Sequence, residues 1–257
     1  MLTRKRQLQN GITLIELMIA ILIGLIMTAA AITLYVNYLK NTRDNVALIK
    51  LNQDMRGAMD IMVRDVRRAG FVTTNPEINF TCLQQSAFGA INIRDSGSST
   101  AVANGNPASC VLYAYNRNNN IPAGLTCNAN AFLVAEDTDR FGFRLSADNA
   151  IQMKSSGNLT STSDCGIGNW ETITEPDVSY DLEFVMTESE LDMTQMFSDG
   201  AQVCNSGDDC NICDSGNQCL TIREVVINLE GTLPDGTSQA IQERVRIRND
   251  KYEDSHL

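Results

Sequence analysis

From Leu17 to Leu39 the chain carries no charged residue, and no other stretch limits so strongly what it can become. The run exceeds the ~20 apolar residues that a helix needs to cross a bilayer. Arg4, Lys5 and Arg6 precede it, and charge returns only at Lys40, Arg43 and Asp44. A basic flank of this kind stays cytoplasmic, so everything beyond Leu39 is expected on the far side of the membrane. A secretory signal would have an apolar core of only ~7–15 residues with a small-residue cleavage site after it. This run is too long for that. A plain single-span anchor fits the hydropathy equally well, but it gives no reason for Gly11 or for Glu16 at the start of the run. A carboxylate among apolar residues is costly and calls for a partner.

A short basic leader, Gly11, the apolar Ile12 and a Glu five positions after the Gly resemble the class III signal of type IV pilins. The resemblance implies cleavage by a prepilin peptidase between Gly11 and Ile12, followed by N-methylation of Ile12. It also implies that Glu16 pairs with the N-terminal amine of a neighbouring subunit during assembly. Most members of that family have Phe where this chain has Ile12, a tolerated departure.

The helical pattern continues past the apolar run. Val46, Leu48, Leu51, Met55, Met59, Met62, Val66 and Ala69 recur mostly three or four apart, with Lys50, Gln53, Asp54, Arg56, Asp60, Arg64, Asp65, Arg67 and Arg68 between them as a polar face. This spacing predicts an amphipathic helix whose apolar face lies on a globular domain. No proline interrupts residues 12 to 69, and Gly70 supplies the expected stop. Arg67 and Arg68 then sit favourably against the negative end of the helix dipole. Short strands are expected at Asn79–Leu83, Phe88–Ile93, Cys110–Tyr115, Phe132–Ala135 and Arg140–Leu145. The polar stretches Asp95–Pro107 and Lys154–Gly168 read as exposed loops. Val178–Met186, Ile222–Leu229 and Ile241–Ile247 alternate with period two, and Pro234-Asp235-Gly236 predicts a hairpin between the last two. The expected fold is α+β, a long N-terminal helix packed on an antiparallel sheet. The expected division is a leader at 1–11, a membrane and assembly segment at 12–39, an amphipathic segment at 40–70 and a disulfide-containing β-rich domain at 71–257.

Net charge is −11, and setting aside Arg4, Lys5, Arg6 and Glu16 leaves 17 basic against 30 acidic residues. Such a surface repels nucleic acid and anionic membranes over a Debye length, although Arg64, Arg67 and Arg68 form a local basic patch. All eight cysteines, Cys82, Cys110, Cys127, Cys165, Cys204, Cys210, Cys213 and Cys219, follow the apolar run. Their even number and exported side favour disulfides over thiols, with the connectivity open. The set from Cys204 to Cys219 is expected to pair within itself, and Cys110 with Cys127 across a strand-turn-strand.

Catalysis is not expected. The one histidine is His256, so no histidine-based triad or multi-histidine metal site can be built. The Cys210–Cys213 pair sits in a four-cysteine loop that could bind zinc, but export favours disulfides. Asp208, Asp209 and Asp214 lack the frame of a calcium loop, as do Asn116, Asn118 and Asn120. No metal or cofactor is expected. Met18, Met27, Met55, Met59 and Met62 read as core or lipid-facing residues. Trp170 reads as a packing anchor.

The run from Asp54 to Phe71, the Asn169-Trp170-Glu171 segment and the closing Arg244-Val245-Arg246-Ile247-Arg248-Asn249 are similar to the PilW minor pilins. That resemblance implies a subunit anchored in the bacterial inner membrane with its C-terminal domain periplasmic, later carried to the pilus tip at the cell surface. The implied partners are other minor pilins, the major pilin, the prepilin peptidase, the inner-membrane assembly platform and a tip adhesin. The J-type minor pseudopilin of type II secretion shares the helix-and-sheet logic and is the nearest alternative. An adhesive or ligand-binding tip module is the other.

Overall fold

A computed structural model of the protein describes residues 11–71, 88–89, 91–96, 100–116, 137–156, 164–175, 177–192, 218–248 and 251–254. The chain divides into two compact units, Met1–Ile49 and Lys50–Leu257, and one helix, α1 (Leu14–Val66), runs from the first into the second.

In the first unit most large apolar side chains are exposed, from Ile12 just ahead of α1 through Leu39 to Ile49, with Leu48 half-buried. The threonines within this stretch satisfy themselves: the Thr28 hydroxyl donates to the Gly24 carbonyl at 2.7 Å and the Thr33 hydroxyl to Ala29 at 2.9 Å. Such back-bonding lets a polar side chain sit on an apolar helix without an unmet donor. The helix is long and apolar enough to cross a membrane.

In the second unit the remaining turns of α1 bury one face. Leu51, Met55, Ala58, Met59, Met62 and Val66 are all in the core, at the spacing the sequence predicts, but the buried face starts later than expected, since Val46 is exposed and Leu48 half-buried. The helix ends at Val66, and Gly70 turns the chain with φ 77°, a conformation that glycine adopts without a Cβ penalty. Its N–H donates to the Ala114 carbonyl at 2.8 Å, tying the helix exit to a strand.

The strands follow in order: β1 (Ile91–Arg94), β2 (Pro107–Ala108), β3 (Cys110–Ala114), β4 (Arg140–Leu145), β5 (Ile151–Ser156), β6 (Asn169–Thr172), β7 (Ser179–Asp192), β8 (Gln218–Thr232), β9 (Ser238–Arg246) and β10 (Lys251–Asp254). They make two antiparallel sheets. One has the order β1-β3-β4-β5-β6; the other runs β10-β8-β7-β2, with β9 also paired to β8. The long strand β8 pairs with β7 along one edge, while β10 and β9 share the other. The expected hairpin joins β8 to β9, with Thr232 opposite Ser238. In its turn the Thr237 N–H donates to Asp235 Oδ1 at 2.8 Å, and Gly236 takes φ 87°. That hydrogen bond holds the Asp235 carboxyl below the usual carboxylate range.

A single core joins the buried face of α1 to one face of each sheet. Val111, Tyr113 and Phe143 come from the first sheet, and Leu182, Phe184, Val225 and Ile227 from the second. The fold is therefore α+β, a long N-terminal helix with antiparallel sheets.

Several expectations need correction. Lys154–Gly168 does not begin as a loop, because residues 154–156 complete β5, with Gln152 opposite Thr172 on β6. Where one antiparallel sheet was expected there are two: β6, which carries Asn169-Trp170-Glu171, is an edge of the first, and β7 lies in the second. Part of the expected Asp95–Pro107 loop is also drawn into structure, through the Arg94–Ala101 bridge and the start of β2. Strands expected at Asn79–Leu83 and Phe132–Ala135 lie outside the described residues.

Candidate processing and assembly site

Gly11, Ile12 and Thr13 lead into α1, which begins at Leu14 with Glu16 in its first turn. Thr13 and Glu16 form a reciprocal pair. The Thr13 N–H donates to Glu16 Oε2 at 3.1 Å, and the Thr13 hydroxyl donates to the same oxygen at 3.0 Å. In return the Glu16 N–H reaches the Thr13 hydroxyl oxygen at 3.4 Å, and the Thr13 carbonyl accepts the Leu17 N–H at 3.2 Å. This is a capping box, in which two donors that a helix start would leave orphaned answer each other. Both side-chain bonds fall on Oε2.

Thr13 is the residue that the sequence reading passed over. The signal was present: a Thr three positions before a Glu, at the head of an apolar run. The four residues Gly11, Ile12, Thr13 and Glu16 are all exposed, so an enzyme or another helix can reach them.

Two family models match this chain. One, described as the prokaryotic N-terminal methylation motif, covers residues 6–32 and so includes Gly11, Ile12 and Glu16. The other, prepilin peptidase-dependent protein B, covers residues 44–247, most of the chain. The chain belongs to the prepilin peptidase-dependent protein B family. It is a type IV pilin-like protein, and its N-terminal apolar helix fits a single-pass membrane anchor. No curated protein and no solved structure matches it.

Away from the helix start, two built clusters stand out among the described residues. The first surrounds a disulfide. Cys110 is joined to Cys165, with their Cα atoms 6.4 Å apart, and not to Cys127. The reason is geometric. On β3 alternate side chains face opposite ways, so Val111 and Tyr113 enter the main core while Cys110 and Leu112 form a separate cluster with Cys165 and Trp170. The turn before β6 brings Cys165 to that second face; Cys127 lies outside the described residues. The disulfide closes a loop with a sequence separation of 55 residues, worth roughly 4 kcal/mol by loop entropy. Trp170 anchors the cluster as expected: the Arg144 guanidinium lies 4.4 Å from its ring centre and the Lys154 ammonium 5.5 Å. Arg144 also donates to the Cys165 carbonyl at 2.6 Å, and burial lowers its pKa.

The positions of Cys82, Cys204, Cys210 and Cys213 lie outside the described residues, as does the side chain of Cys219; the backbone of Cys219 lies in β8, opposite Asp192. The Asp208, Asp209 and Asp214 loop and Asn118 and Asn120 also lie outside them.

The second cluster fixes the end of α1. Asp65 accepts from the Tyr113 hydroxyl at 2.7 Å and from the Tyr115 hydroxyl at 2.8 Å, one to each carboxylate oxygen. Tyr115 stacks on Phe141 at 4.0 Å between ring centres. Burial, and then the Asp65 charge, push both tyrosine pKa values upward. Asp65 is thus an acceptor for two phenol hydroxyls. The periodicity of the helix gave no hint of this role, because Asp65 reads as one more residue of its polar face.

Proposed function

We propose that this chain is a minor pilin of the PilW kind, which helps to initiate type IV pilus assembly in a priming complex with other minor pilins. The observation that carries the proposal is the start of α1: a processing glycine, an exposed capped carboxylate at Glu16, and then a charge-free stretch whose large apolar side chains are exposed. Those side chains are satisfied only by lipid or by the apolar helices of other subunits, so assembly exchanges one apolar surrounding for another.

In this reading prepilin peptidase cuts between Gly11 and Ile12, and Ile12 is then N-methylated. Before assembly the capping box with Thr13 satisfies Glu16, which lets the carboxylate sit at the head of an apolar segment. Both capping bonds use Oε2, leaving Oε1 for the N-terminal amine of a neighbour. That charge-assisted contact sets the register between subunits. The C-terminal domain lies in the periplasm until the subunit enters the fibre, and the role is assembly, without catalysis or cofactor. The major pilin, the assembly platform and a tip adhesin are the further partners.

Intact-mass measurement on the chain purified from its own membrane tests the processing. The expected species starts at Ile12 and carries one added methyl group. Piliation tests the assembly role: Glu16→Ala and Gly11→Ala should each abolish the contribution of this subunit, and unchanged piliation in both variants overturns the proposal. Co-purification separates the pilus from the pseudopilin alternative, since pilus subunits, and no secretion components, should come down with it.

A further inference from the structure

The second unit contains an open pocket of about 760 Å³ beside the end of α1, where Arg64, Arg67, Arg68 and Arg248 meet walls that include Phe141 and Met153. We propose that this pocket binds an acidic peptide segment of a partner protein, with carboxylates on the arginine rim and an apolar side chain between the aromatic walls. The proposal does not rest on the assembly reading, since it needs only the chemistry of the pocket.

Charge is the first argument. Among the described lining residues only Asp60 and Asp65 are acidic, against four arginines, which makes this lining cationic on a chain of net charge −11. Both carboxylates are engaged: Asp60 pairs with Arg64, and Asp65 accepts the two tyrosine hydroxyls. Arg68 lies beside the Tyr115 hydroxyl. Arg67 and Arg248 are exposed, and among the described residues neither has an ion-pair partner. The negative end of the α1 dipole opposes an anion here, but it amounts to about half a charge, less than the surplus of guanidinium.

Shape and surroundings select the ligand. Guanidinium forks match carboxylates in a bidentate way. Phosphate meets the same forks, yet an inorganic anion leaves most of the volume unfilled. Phe71, 46% exposed at the rim, offers apolar surface that an ion does not use. A polyanion such as nucleic acid would run out of the pocket over an acidic surface that repels it. A short acidic segment with one large apolar residue fits both the rim and the walls.

Isothermal titration calorimetry on the full chain in detergent, with the heptapeptide Gly-Glu-Asp-Phe-Glu-Asp-Gly, tests this. Saturable binding is expected. It should weaken at least tenfold in the Arg67→Ala/Arg248→Ala variant and also when the peptide phenylalanine becomes serine. The Arg67→Lys/Arg248→Lys variant, which keeps the charge but not the fork, should fall between. Arg244→Ala removes one positive charge from β9, outside the pocket, where Arg244 pairs with Glu224, and should leave binding unchanged. The inference is overturned if the peptide does not bind, if Arg244→Ala costs as much as the pocket variant, or if single-stranded oligothymidylate binds more tightly through the same arginines. The last result would make the pocket a nucleic-acid site. Pili do not enter the measurement, so its failure leaves the assembly proposal standing.

Discussion

The two ends of α1 have the same secondary structure and opposite fates. Between Leu14 and Ile49 most large apolar side chains are exposed around the helix, whereas from Leu51 onward the apolar residues are fewer and periodic, and all but Ile61 and Val63 are buried. A helix that is apolar all round asks for an apolar solvent, and one with an apolar stripe asks for a surface to lie on. The contrast shows that burial in this chain follows the arrangement of apolar residues more than their number. The richer half stays uncovered within the molecule, and the poorer half builds its core.

Truncation should separate the halves most sharply. Met62 is fully buried, so Met62→Ala should cost the second unit about 2–5 kcal/mol in urea unfolding of the full chain followed by near-ultraviolet circular dichroism. Leu22, 60% exposed, loses nothing in the folded unit when cut to alanine, and the same transition should not move. Equal losses would mean that the exposed half contributes to the stability of the sheets.

A smaller effect tests how closely the buried half approaches. A Cβ added at Gly231 on β8 would stand 2.8 Å from Leu51 Cδ1 and 3.1 Å from the Met55 sulfur. Both neighbours are buried and cannot retreat into solvent, so Gly231→Ala should cost about 1–3 kcal/mol. A double-mutant cycle sharpens the point. With Leu51→Ala in the same chain the two losses should sum to less than their separate values, because each change relieves the other. Strict additivity would show that the strain arises elsewhere.

The same contrast explains what could be read in the sequence. The helix, the two-sided pattern of β7 and β8 and the hairpin at Pro234-Asp235-Gly236 each follow a single period or turn chemistry, so they were legible. β5 was not, because its alternation is disguised: Lys154 is fully buried beside Trp170, and a lysine in a polar stretch reads as loop. Cys110 and Cys165 were assigned to disulfides but not to each other, since their meeting depends on which face of β3 the turn before β6 covers. No local pattern carries that. Of the candidate site, Gly11, Ile12 and Glu16 were legible as spacing, and Thr13 was overlooked although its position spells a capping box. The pairing of Asp65 with two tyrosines some 50 residues away is tertiary and left no trace in the helix.

The smallest change asks whether α1 has an idle face at all. Gly57 lies in the buried half but on its exposed side, where an added Cβ meets nothing within 4 Å. Alanine is favoured over glycine in a helix by up to about 1 kcal/mol, so Gly57→Ala should stabilise the second unit by that amount or less in the same urea assay. Gly24 in the apolar half is just as open within this chain. Gly24→Ala should leave the urea transition unmoved, and its effect, if the half-helix packs on neighbouring subunits, should appear in piliation. Close helix contacts among apolar helices are built on small residues, and a methyl group at the crossing holds the backbones apart. A stabilised Gly57→Ala with normal piliation beside a Gly24→Ala of unchanged stability and reduced piliation would assign one half of the helix to the fold and the other to the assembly.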